Sequence, residues 1–120
     1  MEWNFRNDLP IYTQLMEQLS RAIVSGELLP GAKLPSVRDM AMDAGVNPNT
    51  VQRALADLER EGLVFSQRTS GRYVTDDEAL IGERKEAMAE EIARQFVDSI
   101  SSLGLDKEEI IKVIERVRGK

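Results

Sequence analysis

Cysteine and histidine are both absent from this sequence, and the two absences remove whole classes of chemistry. Without thiols there is no disulfide framework and no thiolate nucleophile. Without imidazole there is no histidine acid–base group, and together the two losses remove every Cys/His metal site. Aromatic residues are sparse, at one Trp, two Tyr and three Phe. No apolar run approaches the ~20 residues of a membrane span, and no signal-peptide pattern opens the chain. A soluble cytoplasmic protein without a membrane partner is therefore expected. No nucleophile–base constellation, phosphate-binding glycine loop or metal-ligand cluster stands out either. An enzyme is not expected, nor a cofactor or metal.

The 120 residues leave room for one compact domain, or a small one with an appendage. The net charge of −5 sits badly with nucleic acid as a partner until its distribution is read. Residues 1–75 carry 8 Lys/Arg against 9 Asp/Glu, and residues 76–120 carry 8 against 12. The acidity lies mainly in the C-terminal part, while Ser66 to Val74 holds Arg68 and Arg72 and no acid. A local basic footprint is compatible with that balance.

The chain is organised around Leu34 to Ala56, which reads as two short helices and a tight turn. Ser36 is an N-cap with Asp39 as the acidic half of a capping box, and Val37, Met40, Ala41 and Ala44 share one apolar face. Gly45 supplies the turn, Asn47 caps the second helix, and Pro48 takes its first position. Val51, Ala54, Leu55 and Leu58 face inward. At about 100° per residue the outward positions are Asn49, Arg53, Ala56 and Arg60, flanked by Thr50 and Gln52. These polar types read base edges or hold phosphates, and equally they suit an ordinary polar outer face. Asn47 is open to a capping role alone, and Arg38 to an ion pair with Asp43.

Before this pair, Ile11, Leu15, Leu19 and Ile23 repeat every four residues in a helix that starts at Pro10 and ends at Gly26. Trp3 and Phe5 form an apolar arm, a core or subunit anchor. After the pair, Leu63-Val64-Phe65 and Tyr73-Val74-Thr75 flank a polar, basic tip, which predicts a two-stranded hairpin leaning on the helices. The expected fold class is mainly α with a small β-hairpin: a winged helix-turn-helix over residues 1–75. The acidic run Asp76-Asp77-Glu78 marks a boundary, and two amphipathic helices fill residues 76–120. Met88, Ile92, Phe96 and Ile100 stripe the first, and Ile110 and Ile114 belong to the stripe of the second. Helices of this size have no core of their own, so their stripes must be buried on the N-terminal domain or on another subunit.

The spaced motifs also carry a resemblance. Ile11-Tyr12, Gln14-Leu15, Gly26 through Arg38, Val46 through Ala54, and Leu58 through Val64 occur in order. Together they resemble the N-terminal signature of GntR-superfamily transcription regulators. The short helical tail is similar to that of the YtrA-like branch, whose C-terminal helices mediate homodimerisation and whose members often regulate nearby transporter operons. The resemblance implies that Arg38 contacts DNA near the start of the first helix of the pair. It implies that Asn47, Asn49, Thr50 and Arg53 lie at the DNA-facing start of the recognition helix. Gly71 and Arg72 match the wing tip, expected in or near the minor groove. Thr69 replaces the first glycine of the usual Arg-Gly-x-Gly wing, and Pro48 stands where many members have Arg.

The expected function is a sequence-specific DNA-binding regulator, a homodimeric repressor on an inverted-repeat operator. Its DNA-contact set is Arg38, Asn47, Asn49, Thr50, Gln52, Arg53, Arg68, Gly71 and Arg72. The alternative is a winged-helix protein-interaction module acting as an adaptor without DNA. No convergent polar cluster marks a site for a small-molecule effector.

Overall fold

A computed structural model describes residues 1–119. The elements follow in the order α1 (Ile11–Ser25), α2 (Val37–Ala44), α3 (Pro48–Arg60), β1 (Val64–Gln67), β2 (Gly71–Val74), α4 (Glu78–Ser101) and α5 (Lys107–Arg118). Two compact units divide the chain, Met1–Lys85 and Glu86–Lys120.

In the first unit the four-residue repeat of α1 buries Leu15, Leu19 and Ile23 against Val51, Ala54, Leu55 and Leu58 of α3 and Met40 and Ala41 of α2. Leu34, Leu63, Val64 and Val74 close the same core. Pro10 is the cap rather than the first residue of α1, because its ψ of 134° is extended and no side chain caps the helix. Ser36 caps α2 by accepting the Asp39 N–H at 3.1 Å. The reciprocal bond that would complete a capping box is not made among the described residues. Gly45 ends α2 at φ 70°, a left-handed conformation that places Val46 against the core, and α3 starts three residues later at Pro48.

The hairpin is antiparallel, with Phe65 opposite Tyr73 and Gln67 opposite Gly71. It is not left on its own. The segment before α2 runs along the free edge of β2: Leu34 N–H donates to Arg72 O at 2.9 Å, Val74 N–H to Ala32 O at 2.9 Å, and Gly31 N–H to Val74 O at 3.0 Å. A two-stranded hairpin is marginal in water, and this third edge ties it to the helices. Its Phe65 and Tyr73 rings stack across the strands at 5.7 Å.

The N-terminal arm is held by two amides one helical turn apart on α1. Gln14 accepts Arg6 N–H at 2.7 Å and donates to Arg6 O at 2.8 Å, and Gln18 makes the same pair of bonds with Asn4. Trp3 stacks on Phe5 and donates its Nε1–H to Asp43 at 2.8 Å, which joins the arm to α2. Gln14 is buried, so Gln14→Ala leaves backbone groups of the arm without partners. It is expected to lower stability by about 1–3 kcal/mol in urea unfolding, against little change for an exposed control such as Glu17→Ala.

The acidic run at Asp76–Glu78 is a helix start. Asp77 accepts Leu80 N–H at 3.1 Å, and Leu80 and Ile81 pack against the first unit's core. That packing ties the first turn of α4 to the first unit, which runs to Lys85.

In the second unit, residues of α4 and α5 form a helical pair with no fully buried side chain. Asp106 and Glu109 make a complete capping box at the start of α5. Ala93, Phe96, Val97, Ile110, Ile111 and Ile114 line an open apolar groove of about 420 Å³.

Candidate nucleic-acid interface

α3 carries the outward side chains that its periodicity predicts. Asn49, Gln52, Arg53 and Arg60 are exposed, and Thr50 and Ala56 are half-buried at the margin. Asn47 works as the cap: its Oδ1 accepts Asn49 N–H at 2.7 Å. Its Nδ2 group has no protein partner among the described residues.

The arginines separate into two kinds. Arg72 donates its Nε–H to Glu59 at 3.4 Å, and Ser66 donates its hydroxyl to the same oxygen at 2.9 Å. Glu59 thus pins both strands of the hairpin to the C-terminal half of α3, and the Arg72 side chain is only 21% exposed. Arg60 pairs with Asp57 on its own helix. Arg38, Arg53 and Arg68 are exposed and have no carboxylate within 4.0 Å among the described residues. They stand at the first turn of α2, on the outer face of α3 and at the hairpin tip. Arg38 does not pair with Asp43, whose carboxylate accepts the Trp3 indole N–H.

The guanidinium of Arg53 is not loose. Its Cζ lies 4.0 Å from the centroid of the Tyr12 ring, from the first turn of α1. In the sequence Tyr12 stands in the Ile11-Tyr12 motif at the start of α1, and nothing in its spacing points to Arg53.

At the hairpin tip, Gly71 has φ 113°, a conformation that side chains disfavour, which is the physical reason for a glycine there. A Cβ at Gly71 would lie 3.5 Å from Lys33 Cε, an ordinary contact. Lys33, Ser36, Val37, Ser70, Gly71 and Arg72 surround one open hollow, so the wing and the start of α2 are neighbours. Lys33 brings a cation to this edge that reading by periodicity overlooked. Its only signal was its place in the run from Gly26 to Arg38.

Of the tail residues singled out from sequence, Phe96, Ile110 and Ile114 line the apolar groove and Ile92 is exposed beside them. Met88 and Ile100 are half-buried. Among the described residues no group of three or more Cys, His, Asp or Glu is placed to hold a metal, and no helix is long and apolar enough to cross a membrane.

Two helices joined at a glycine turn, backed by a third and flanked by a hairpin, define a winged helix-turn-helix. Residues 11–74 match the family "Bacterial regulatory proteins, gntR family". The chain belongs to that family and is a DNA-binding transcriptional regulator of helix-turn-helix type. It is 40% identical over 115 residues to the uncharacterized HTH-type transcriptional regulator YhcF of Bacillus subtilis, covering 96% of this chain and 95% of that one. It is 34% identical to the HTH-type transcriptional repressor YtrA of the same organism, covering 93% and 87%. A GntR family transcriptional regulator from Listeria monocytogenes has the same fold at a TM-score of 0.88, with 36% identity over 93% of this chain and 98% of that one. AraR(DBD) in complex with operator ORX1 aligns with 62% of this chain and 96% of its own length at a TM-score of 0.57 and 31% identity.

Proposed function

We propose that the protein is a homodimeric repressor, with residues 1–75 as its DNA-binding domain and residues 76–120 as its dimerisation region. Each subunit sets Asn49, Thr50 and Arg53 in a major groove, with Asn47 and Gln52 beside them. Arg38 holds the backbone, and Arg68, Gly71 and Arg72 form the wing at the adjacent backbone or minor groove. The observation that carries this reading is the placement of three exposed arginines, with no acidic partner among the described residues, on the helix pair and the wing of a chain whose net charge is −5. Exposed cations without an acidic partner also lie on α4 and α5, among them Lys107, Lys112 and Arg116, so the reading rests on where these three stand, on the helix pair and the wing, and not on their being unpaired.

The apolar groove of the tail supports the dimer. Phe96 and Ile114 remain 41% and 42% exposed, and a second copy is the partner whose identical face is always at hand. A two-fold dimer calls for an inverted-repeat operator. On the branch resemblance alone, the regulated operon encodes a transporter, and the protein acts in the cytoplasm, where that DNA lies.

A gel shift with DNA from upstream of its own gene tests the reading. Binding is expected, with log Kobs falling linearly against log salt by about 0.9 for each phosphate neutralised. Absence of a shift at every salt concentration favours the protein-interaction alternative.

A further inference from the structure

Helix α1 supplies core side chains along most of its length, and Tyr12, in its first turn, packs half-buried at the edge of that core with its ring also reaching α3. There it meets Arg53 with the guanidinium carbon 4.0 Å from the ring centroid. An arginine stacked on an aromatic face keeps its N–H edge available, because the attraction acts through the face of the guanidinium plane. A long side chain that must be ordered on binding loses rotamer freedom, and one already held by a ring loses less. No carboxylate within 4.0 Å competes for Arg53 among the described residues, so the ring is what fixes it.

We propose that Tyr12 is a positioning residue of the DNA interface, whose ring holds Arg53 in the orientation that addresses a base edge. Helix α1 thereby takes part in recognition without touching DNA through this residue. The proposal rests on the DNA-binding reading of Arg53, and it makes separate demands on the free protein and on the complex.

The free protein is tested by NMR. Arg53 side-chain resonances are expected to be shifted upfield by the ring current in the wild type and in Tyr12→Phe. In Tyr12→Leu and Tyr12→Met, two variants that keep apolar bulk at the edge of the core, they are expected at ordinary positions. The complex is tested with a duplex recovered by the wild type from random-sequence DNA. Tyr12→Phe is expected to bind within about twofold of wild type, and Tyr12→Leu about 5–30-fold more weakly, since two exposed stacks are lost per dimer. On an Arg53→Ala background Tyr12→Leu is expected to add nothing.

Unshifted Arg53 resonances in the wild type would overturn the proposal. So would a full loss of affinity in Tyr12→Phe, which assigns the effect to the hydroxyl, or an equal loss on the Arg53→Ala background, which assigns it to the fold. A wild type that shows the upfield shift but recovers no DNA sequence overturns the DNA reading, and the stack is then a structural contact.

Discussion

Phe96→Glu is expected to convert the proposed dimer into monomers and to weaken operator binding about 10²–10⁴-fold, the range over which joining two binding modules raises affinity. Phe96 sits in the apolar groove between α4 and α5, with Val97, Ile110, Ile111 and Ile114 around it. Burying a carboxylate there without a partner costs far more than the association of two small faces supplies, so the copies separate. Each separated winged unit keeps its own core, since Leu15, Leu55 and Leu58 are enclosed by the first unit alone. The variant is therefore expected to bind a half-site much as wild type does, while losing the gain that a second half-site gives. Light scattering gives the mass, and titrations with whole and half operators separate the two effects. A variant that stays dimeric, or that loses half-site binding equally, contradicts the assignment of residues 76–120.

Arg53→Ala is expected to weaken binding by about 1–3 kcal/mol per subunit, and so by about 2–6 kcal/mol for a two-fold dimer. A side chain that reads a base has a second signature: preference at one operator position relaxes along with the affinity. Arg38→Ala and Arg68→Ala, as backbone contacts, are expected to weaken all sequences alike and to flatten the salt slope by about one for each phosphate left without its arginine. Arg72→Ala is a useful contrast because its guanidinium is partly engaged by Glu59. Its loss is expected to loosen the hairpin on α3 as much as it removes a charge from the wing. Binding curves on the selected operator and on single-position variants of it distinguish these cases.

What could be read from the sequence follows the range of the interactions concerned. The inward face of α3, the Gly45 turn, the Asn47 cap and the capping box at Asp106 are set by residues within one or two turns of each other, and periodicity and capping chemistry reveal them. The pairing of Leu34 and Ala32 with β2 joins segments that the whole of α2 and α3 separates, and no local pattern announces it. The same is true of Glu59, which lies 13 residues from Arg72 and reads as one more acid on a solvated helix end. Gln14 and Gln18 looked like polar positions on a helix, and their grip on the N-terminal arm appears only when the arm is in place. Tyr12 and Arg53 belong to different helices, so their stacking is a consequence of how α1 crosses α3. Local rules outline the interface, and tertiary packing decides which of its arginines are free and how they are held.

Repression in this form requires two copies presenting matched α3 helices to one duplex. Selection from random-sequence DNA, followed by counting chains per bound duplex, examines both parts together. The expected result is an enriched inverted repeat that binds two chains, with half-sites one helical turn or a multiple of it apart. An enriched site without two-fold symmetry, a single chain per duplex, or no enriched sequence at all would contradict it.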